Sequence, residues 1–368
     1  MTETTFAAST PATRLATLLS SMPAAPALAV YRGTLTPQEL DAPAAETVAL
    51  TTAAAVHDLG WLSRVEVRGE DRFRWLSGMV TNMVNDLAAN GGAWNLVLNA
   101  QGRIQGDLTV WRDGDRLELE IAADQRENLL AHLDHFIIMD DVELVPMEAE
   151  AALGLAGPLA SQVLERLGLP AVTEPMTHVR VEWNGLDLRL VRDYGVLAEH
   201  YELWVPAAGL GKLWNFLRTA GAMPVGAAAV DALRIVEGIP MYGVDMVERD
   251  LPQETSQMRA LNFSKGCYLG QEIVERIRSR GAVHRHLRQL ELTGPVPAAG
   301  SELTLESDKP AGQITSAVKL PGSGRIAALG MIRGEAELRN QELTYTSGAE
   351  KGTARLLSAP ITLNPTGQ

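Results

Sequence analysis

The single cysteine of this chain lies in a stretch whose composition favours a reactive thiol. Cys267 is the only cysteine among 368 residues, and Lys265 stands two positions before it. The run 271–277 that follows has branched apolar residues on one face, which predicts the start of a helix. The positive end of a helix dipole and a nearby ammonium group both favour the thiolate, the form that acts as a nucleophile or a metal ligand. We therefore expect Cys267 to carry a function.

A second interpretation of Cys267 is a packing role, because a lone free cysteine is most often a small buried hydrophobe. Gly266 and Gly270 flank the cysteine, and charged residues lie nearby. Glycines mark backbone positions where a side chain would clash or where a ligand approaches closely. This pattern favours a functional cysteine over one in a core strand or core helix.

The overall composition excludes several classes of function. The net charge of -13 argues against broad nucleic-acid binding, which needs a basic face. One cysteine excludes an intrachain disulfide and a zinc or iron–sulfur site built from several cysteines of one chain. No stretch approaches the ~20 uninterrupted apolar residues of a membrane span, and the N-terminus does not resemble an export signal. We expect a cytoplasmic protein that binds neither membrane nor nucleic acid and holds no metal by itself.

Turn signals and apolar periodicity predict an α+β fold with a repeated unit. Two hairpins are centred on Asp113-Gly114 and Asn184-Gly185, and an amphipathic helix follows each of them. This repetition predicts two similar lobes of antiparallel sheet with flanking helices. Beyond the second lobe, short alternating strands separated by glycine and proline predict a small all-β module, which we assign as a barrel. The predicted units are an N-terminal extension (1–50), a domain (51–288) of two lobes (about 51–150 and 151–288), and the C-terminal β-barrel (289–360).

Two carboxylates lie on predicted strands, and the sequence pattern alone does not indicate a functional role for either of them. Asp107 lies inside a strand-like run, where aspartate is disfavoured by propensity. Glu202 alternates with the apolar residues on either side of it, which is the pattern of a half-exposed strand. Both are therefore interpreted, on pattern alone, as solvent-exposed strand positions.

A longer motif around the cysteine identifies a family resemblance. The stretch Lys265-Gly266-Cys267-Tyr268-Leu269-Gly270-Gln271-Glu272, with Val274 and Arg276, matches the pattern K-G-C-Y-x-G-Q-E-x-V-x-R throughout. On this motif the sequence resembles the YgfZ-type folate-binding proteins, relatives of the glycine-cleavage T-protein (aminomethyltransferase) superfamily. Supporting motifs cover most of residues 55–335 and include 76–82, 98–104, 201–204, 233–245 and 251–254.

The resemblance implies a protein of three lobes whose central channel binds tetrahydrofolate. It also implies a role with iron–sulfur client or assembly proteins, including an enzyme that thiolates tRNA. The family's cysteine corresponds to Cys267, and the T-protein aspartate that assists one-carbon transfer corresponds to Asp107. The further folate-binding residues implied by the family motifs are Glu202, Arg234, Tyr242, Lys265 and Asn99.

Two departures from the T-protein pattern bear on the activity. The T-protein has G-G-I-x-D-D where this chain has Gly102-Arg103-Ile104-Gln105-Gly106-Asp107, so one of two paired aspartates is glycine. The acid of the T-protein L-R-x-E-x-G motif is displaced here to Glu237. The resemblance therefore favours a folate-binding accessory protein over an aminomethyltransferase. A binding module that has lost folate is a third possibility.

The segment 276–288 is a local basic island with five arginines and two histidines. Such an island could bind the glutamate tail of a folate or an acidic partner through charge-assisted hydrogen bonds. Alternatively, it is a solvated helix end and strand, since arginine near a helix C-terminus is stabilising in any case. Binding of nucleic acid is a third alternative for this segment.

Overall fold

The computed structural model describes residues 10–281, 283–306, 308–321, 323–339 and 341–358 of the chain. These residues form an α+β fold with two large sheets, a short N-terminal hairpin and a closed C-terminal barrel. No helix in these ranges combines the length and the apolar character that crossing a membrane requires. The cytoplasmic location stays a prediction.

The described part of the predicted extension is folded onto the rest of the chain. Leu15 and Leu19 pack into the core of the second large sheet, and the Thr13 side chain caps the first helix by accepting a hydrogen bond from the Ala16 amide at 3.0 Å. The Thr13 hydroxyl also donates to Asp58. The elements of this segment are α1 (Arg14–Ser20), β1 (Leu28–Tyr31), β2 (Thr34–Pro37) and α2 (Pro43–Thr52).

The first large sheet carries a core between one of its faces and two helices. Trp75 and Leu76 of one helix and Leu129 and Leu133 of the other lie in this core. After β3 (Ala55–Asp58), the elements are β4 (Leu62–Arg68), α3 (Arg72–Met79), β5 (Gly92–Leu98), β6 (Ile104–Asp113), β7 (Arg116–Ala122), α4 (Ala123–Asp134) and β8 (Glu143–Pro146). The strands lie in the order β5-β6-β7-β4-β8, and every pair is antiparallel.

The second large sheet repeats this element order. Its elements are β9 (Glu150–Ala156), α5 (Ala160–Arg166), β10 (Thr177–Trp183), β11 (Leu186–Asp193), β12 (His200–Pro206), α6 (Leu210–Thr219), β13 (Met223–Pro224) and α7 (Ala227–Glu237). The strand order is β10-β11-β12-β9-β3-β13, so β3 from the N-terminal side inserts next to β9. Asn184 and Gly185 both adopt positive φ angles, of 52° and 72°, as a two-residue hairpin of the expected kind requires.

A helix and a barrel complete the chain. The helix α8 (Gln271–Arg280) follows Gly270, which adopts a left-handed conformation with φ 81°. The predicted barrel is confirmed, with the strand order β14-β17-β16-β15-β18-β19, and its first strand begins at Arg285, but a helix between β17 and β18 makes it not purely β. Its elements are β14 (Arg285–Thr293), β15 (Glu302–Thr304), β16 (Pro310–Lys319), β17 (Ile326–Arg333), α9 (Gly334–Arg339), β18 (Leu343–Ser347) and β19 (Glu350–Leu356).

A buried ion network joins the two large sheets. Arg64 on β4 lies within 3.2 Å of both Glu118 and Glu120 on β7, and it lies 3.6 Å from Glu202 on β12 of the other sheet. Arg189 on β11 pairs with the same oxygen of Glu118 that Arg64 contacts. The side chains of Arg64 and Glu118 are fully buried. Buried charges are tolerated only when each has a partner, so these five residues depend on one another.

We expect Glu118→Gln to destabilise the protein strongly. The substitution leaves Arg64 and Arg189 short of a carboxylate in a site without water, and breaking a buried ion pair costs about 3–5 kcal/mol. Denaturant unfolding followed by fluorescence measures the change in the free energy of unfolding.

The matched control is Glu335→Gln, which makes the same chemical change in an exposed pair with Lys309. This control is expected to unfold at the wild-type denaturant concentration. Equal effects of the two substitutions would show that the buried network does not determine stability.

Candidate functional site

A cavity of about 210 Å³ lies between the two large sheets. Its walls come from the N-terminal hairpin, from strands β6 and β7 of the first sheet, from β12 of the second sheet and from α7. Three sequence-predicted site residues line it, namely Asp107, Glu202 and Arg234. Residues distant in the sequence are thus brought together around one cavity, which makes it the candidate binding site.

Glu202 is a buried carboxylate in the wall of the cavity. Only 4 % of the residue is exposed, so the solvent-exposed strand position expected from the pattern alone is wrong. Its Oε2 accepts a hydrogen bond from Trp204 Nε1 at 2.7 Å. Burial, together with the neighbouring Glu120 and Asp193 carboxyl groups, raises the pKa of Glu202 well above its usual value. A ligand that donates hydrogen bonds would stabilise the ionised form of this side chain.

Asp107 on β6 is held in place by two donors. Trp94 Nε1 donates to Asp107 Oδ2 at 2.9 Å, and Gln125 Nε2 donates to Oδ1 at 2.9 Å. Gln125 also accepts from the Asp107 backbone amide at 3.0 Å. A Cβ at Gly106 would lie 2.7 Å from Gln125 Oε1 and 2.7 Å from a methyl group of Leu129. A second aspartate at position 106 would therefore displace the side chains of Gln125 and Leu129.

Arg234 connects the cavity wall to the barrel. Its guanidinium group bonds Asp231 at 2.6 Å, Asp245 at 2.7 Å and Ser316 of β16 at 3.2 Å. Asp245 also accepts from the Thr315 hydroxyl at 2.6 Å. Because these contacts occupy much of its hydrogen-bonding capacity, Arg234 has a structural role in addition to lining the cavity.

Glu237 at the end of α7 holds the loop 194–199 against the cavity. Its Oε1 accepts three consecutive backbone amides, those of Val196, Leu197 and Ala198, at 3.2, 2.9 and 3.1 Å. His200 Nε2 lies 3.1 Å from the other oxygen. Despite burial, the hydrogen bond and charge of His200 and these amides lower the pKa of Glu237. Glu237, whose position is displaced relative to the acid of the T-protein motif, thus fixes the loop 194–199.

Several further residues of the cavity wall were not predicted from the sequence. Arg259 packs against Trp94 and Tyr194, with its guanidinium carbon 4.2 and 3.9 Å from the two ring centroids. His57 also lines the cavity, and burial lowers its pKa to about 4. None of these residues belongs to a local motif, and only the approach of the two sheets brings them together.

Cys267 lies outside the cavity lining and at the protein surface. The structure therefore excludes the alternative of a packed cysteine. The following residue, Tyr268, is buried in the same apolar cluster as Trp94, which lines the cavity. The loop 265–270 that carries Cys267, here called the thiol loop, is thus anchored by Tyr268 in the apolar cluster that contains Trp94.

The remaining predicted site residues support the thiol loop and are absent from the cavity lining. Lys265 Nζ donates to the backbone oxygens of Val80 and Asn82 at 2.6 and 2.7 Å, and burial lowers its pKa to about 8. Asn99 Oδ1 accepts two backbone amides of the β5–β6 turn, at 3.0 Å each. Tyr242 packs against the apolar cluster that contains Tyr268.

The chain's own acids neutralise much of the basic island. Arg285 pairs with Asp250 and Glu254 at 2.7 and 3.0 Å, and Arg288 pairs with Glu337. The side chain of Arg280 lies outside the described residues. These pairings support the interpretation of the island as a structural feature.

The described residues contain no group of three or more histidine, cysteine, aspartate or glutamate side chains arranged to hold a metal ion.

Comparisons with known proteins agree with this architecture. A sequence model described as the GCVT N-terminal domain matches residues 29–265. An aminomethyltransferase of Rubrobacter xylanophilus is 29 % identical over 303 residues, which cover 80 % of each chain. A putative chloroplastic transferase of Arabidopsis thaliana is 26 % identical over 298 residues, 78 % of this chain and 67 % of that protein.

A solved structure shares the complete fold. The glycine cleavage system aminomethyltransferase T from Bartonella henselae superimposes with a TM-score of 0.86 at 20 % identity, over 97 % of this chain and 99 % of that one. The family match spans more than half of the chain and includes Asp107, Glu202 and Arg234. This chain belongs to the GCVT-domain family and has the fold of the glycine-cleavage T-protein.

Proposed function

We propose that this protein binds tetrahydrofolate in the cavity between its two large sheets. We further propose that it acts through Cys267 as an accessory protein for the assembly or repair of iron–sulfur enzymes, among them one that modifies tRNA. The observation that carries the folate proposal is the buried Glu202 carboxyl group in the wall of the cavity. Each half of the proposal has its own support and its own test.

The chemistry of a reduced pterin fits Glu202. The pterin ring has an amino group and a ring N–H side by side, and a carboxylate accepts such paired donors in the plane of the ring. In the free protein, burial and two neighbouring acids oppose ionisation of Glu202. Paired donors from a ligand would offset that cost, so the site favours this ligand over one without donors.

The size of the cavity is consistent with a ring that is bound inside and a tail that extends outwards. Its volume of about 210 Å³ is smaller than the roughly 300–1,000 Å³ of pockets that enclose a whole drug-sized ligand. Trp61 and Met176 in the walls supply apolar contact area for a ring. The folate's aminobenzoyl-glutamate portion would then lie towards the mouth.

The thiol proposal depends on the exposure of Cys267 and on the motif around it. An exposed thiol on the loop before a helix can contact another macromolecule, whereas a buried one cannot. Iron–sulfur clusters use about four ligands, so one cysteine needs a partner protein or a small thiol to share a cluster. The resemblance of residues 265–272 to the YgfZ motif favours iron–sulfur proteins as that partner.

Aminomethyl transfer is the second candidate function, because Asp107 lies in the cavity and curated relatives carry the name aminomethyltransferase. Both oxygens of Asp107 already accept hydrogen bonds, from Trp94 and Gln125. A second acid at position 106 would also displace Gln125, which donates to Asp107. These contacts make Asp107 a less available proton acceptor, and they favour binding over transfer.

Glu202→Gln is expected to weaken tetrahydrofolate binding at least tenfold, about 1.4 kcal/mol, because the amide replaces a carboxylate that accepts paired donors. Anaerobic titration calorimetry of the wild type and the variant measures the two dissociation constants. Glu182→Gln is the matched control, since Glu182 is exposed on β10 of the same sheet. Absence of saturable binding by the wild type would refute the folate proposal.

Cys267→Ser is expected to fail to restore iron–sulfur enzyme activity in a strain that lacks this protein. Serine keeps the size of the side chain but is neither a comparable nucleophile nor a good ligand for soft metals. Enzyme activities are compared at equal protein levels with those of strains carrying the wild type or Ser264→Ala, an exposed neighbour on the same loop. Full rescue by Cys267→Ser would exclude the thiol mechanism.

Asp107→Asn separates the two candidate functions. The accessory role predicts that this variant still rescues the deletion strain, since Asp107 performs no transfer there. Aminomethyl transfer predicts the reverse pattern, in which Asp107→Asn abolishes folate-dependent one-carbon transfer and Cys267→Ser has no effect. An assay of both variants for rescue and for transfer with tetrahydrofolate distinguishes the two.

A further inference from the structure

Arg259 is a cation in the cavity wall, and no acid of the described residues lies within ion-pair distance of its guanidinium group. It takes part in none of the ion pairs that the described part of the chain forms. Its side-chain hydrogen bond there is a long one, from Nε to Gln257 Oε1 at 3.4 Å. The N–H groups on the terminal nitrogens of the guanidinium group are therefore available to donate hydrogen bonds.

Two aromatic rings hold this guanidinium in one orientation. Trp94 on β5 and Tyr194 after β11 both line the cavity, and Arg259 packs against each of them at about 4 Å. Glu237 fixes the loop that follows Tyr194 through three backbone amides. Because stacking on the rings orients the guanidinium group, the edge that carries its terminal N–H groups is already placed to bind an acceptor.

The nearby acids each have other donors. Asp107, Asp193 and Glu237 lie close enough to raise the pKa of Arg259, although burial has the larger effect and lowers it overall. Asp107 accepts from Trp94 and Gln125, Glu237 accepts the loop amides, and Asp193 accepts the Tyr194 amide at 2.7 Å. None of the three forms an ion pair with Arg259, so its edge is left for a ligand.

We propose that Arg259 binds a carboxylate of the ligand and thereby determines specificity for the acidic end of the molecule. This inference rests on the proposed folate function, in which Glu202 binds the pterin ring and the acidic group is a carboxylate of the glutamyl tail. A carboxylate matches the free edge of a guanidinium with two parallel hydrogen bonds. Glu202 and Arg259 then divide the ligand between them, one for each end.

The test compares two probes by anaerobic titration, tetrahydrofolate and 6-methyltetrahydropterin, which has the reduced ring but no benzoylglutamate tail. Arg259→Gln is expected to weaken tetrahydrofolate binding at least tenfold and to leave the affinity for 6-methyltetrahydropterin unchanged. Arg259→Lys keeps the charge but loses the paired donors, so an intermediate affinity for tetrahydrofolate is expected. The control is Arg278→Gln, since Arg278 stacks on Phe263 outside the cavity lining.

The outcomes separate this inference from the function on which it rests. If the wild type binds neither probe, the folate function fails and the inference fails with it. If the wild type binds tetrahydrofolate and Arg259→Gln binds it equally well, only the role of Arg259 is refuted. Equal losses for both probes would also refute the carboxylate contact, because they would show that Arg259 merely shapes the cavity. Arg259→Lys provides the same comparison if Arg259→Gln does not fold.

Discussion

The architecture depends on the buried charges that join the two large sheets. Arg64 and Glu118 from the first sheet meet Arg189 from the second in a region without solvent, and Arg64 also approaches Glu202. An aromatic ring also takes part in this contact, because the guanidinium carbon of Arg64 lies 4.0 Å from the ring centre of Trp204. An apolar cluster that includes Trp111 of the first sheet and Trp204 of the second lies at the same contact, and the paired charges add defined partners to it. The cavity lies between the two sheets that this contact joins.

The same network couples stability to the site. Glu202 contributes to the charge balance of Arg64, and its carboxyl group also lines the cavity. Glu120 has both roles as well, since it pairs with Arg64 and raises the pKa of Glu202. A cavity lined by groups whose ionisation is opposed by burial is typical of sites that bind a polar ligand.

The cavity and the thiol loop are held in place by separate contacts. The cavity depends on the inter-sheet network and on the Glu237 loop. The thiol loop depends on Lys265, which donates to the backbone oxygens of Val80 and Asn82 just after α3. It also depends on Gly270, where a Cβ would lie 2.5 Å from the backbone oxygen of Asn99. The buried Tyr268 packs in the same apolar cluster as Trp94, which lines the cavity.

Much of the local structure was accessible from the sequence because it depends on short-range chemistry. The Asn184-Gly185 turn, the helix after Gly270 and the alternating strands of the barrel follow from dihedral preferences and periodicity within a few residues. The motif around Cys267 is also contiguous. By contrast, the pattern around Glu202 indicated an exposed strand, because alternation cannot distinguish a solvent-facing side from one covered by a second sheet.

The sequence by itself indicated the two hairpins, the helices that follow them, the barrel and the relation to the T-protein superfamily. Only the tertiary structure decided which side chains share the cavity, that Lys265, Asn99 and Tyr242 lie outside its lining, and that β3 joins the second sheet. Arg259, Trp94 and Tyr194 meet although they are far apart in the chain. The physical reason is that burial and ion pairing act through space between distant strands, whereas turn and helix signals act along the backbone.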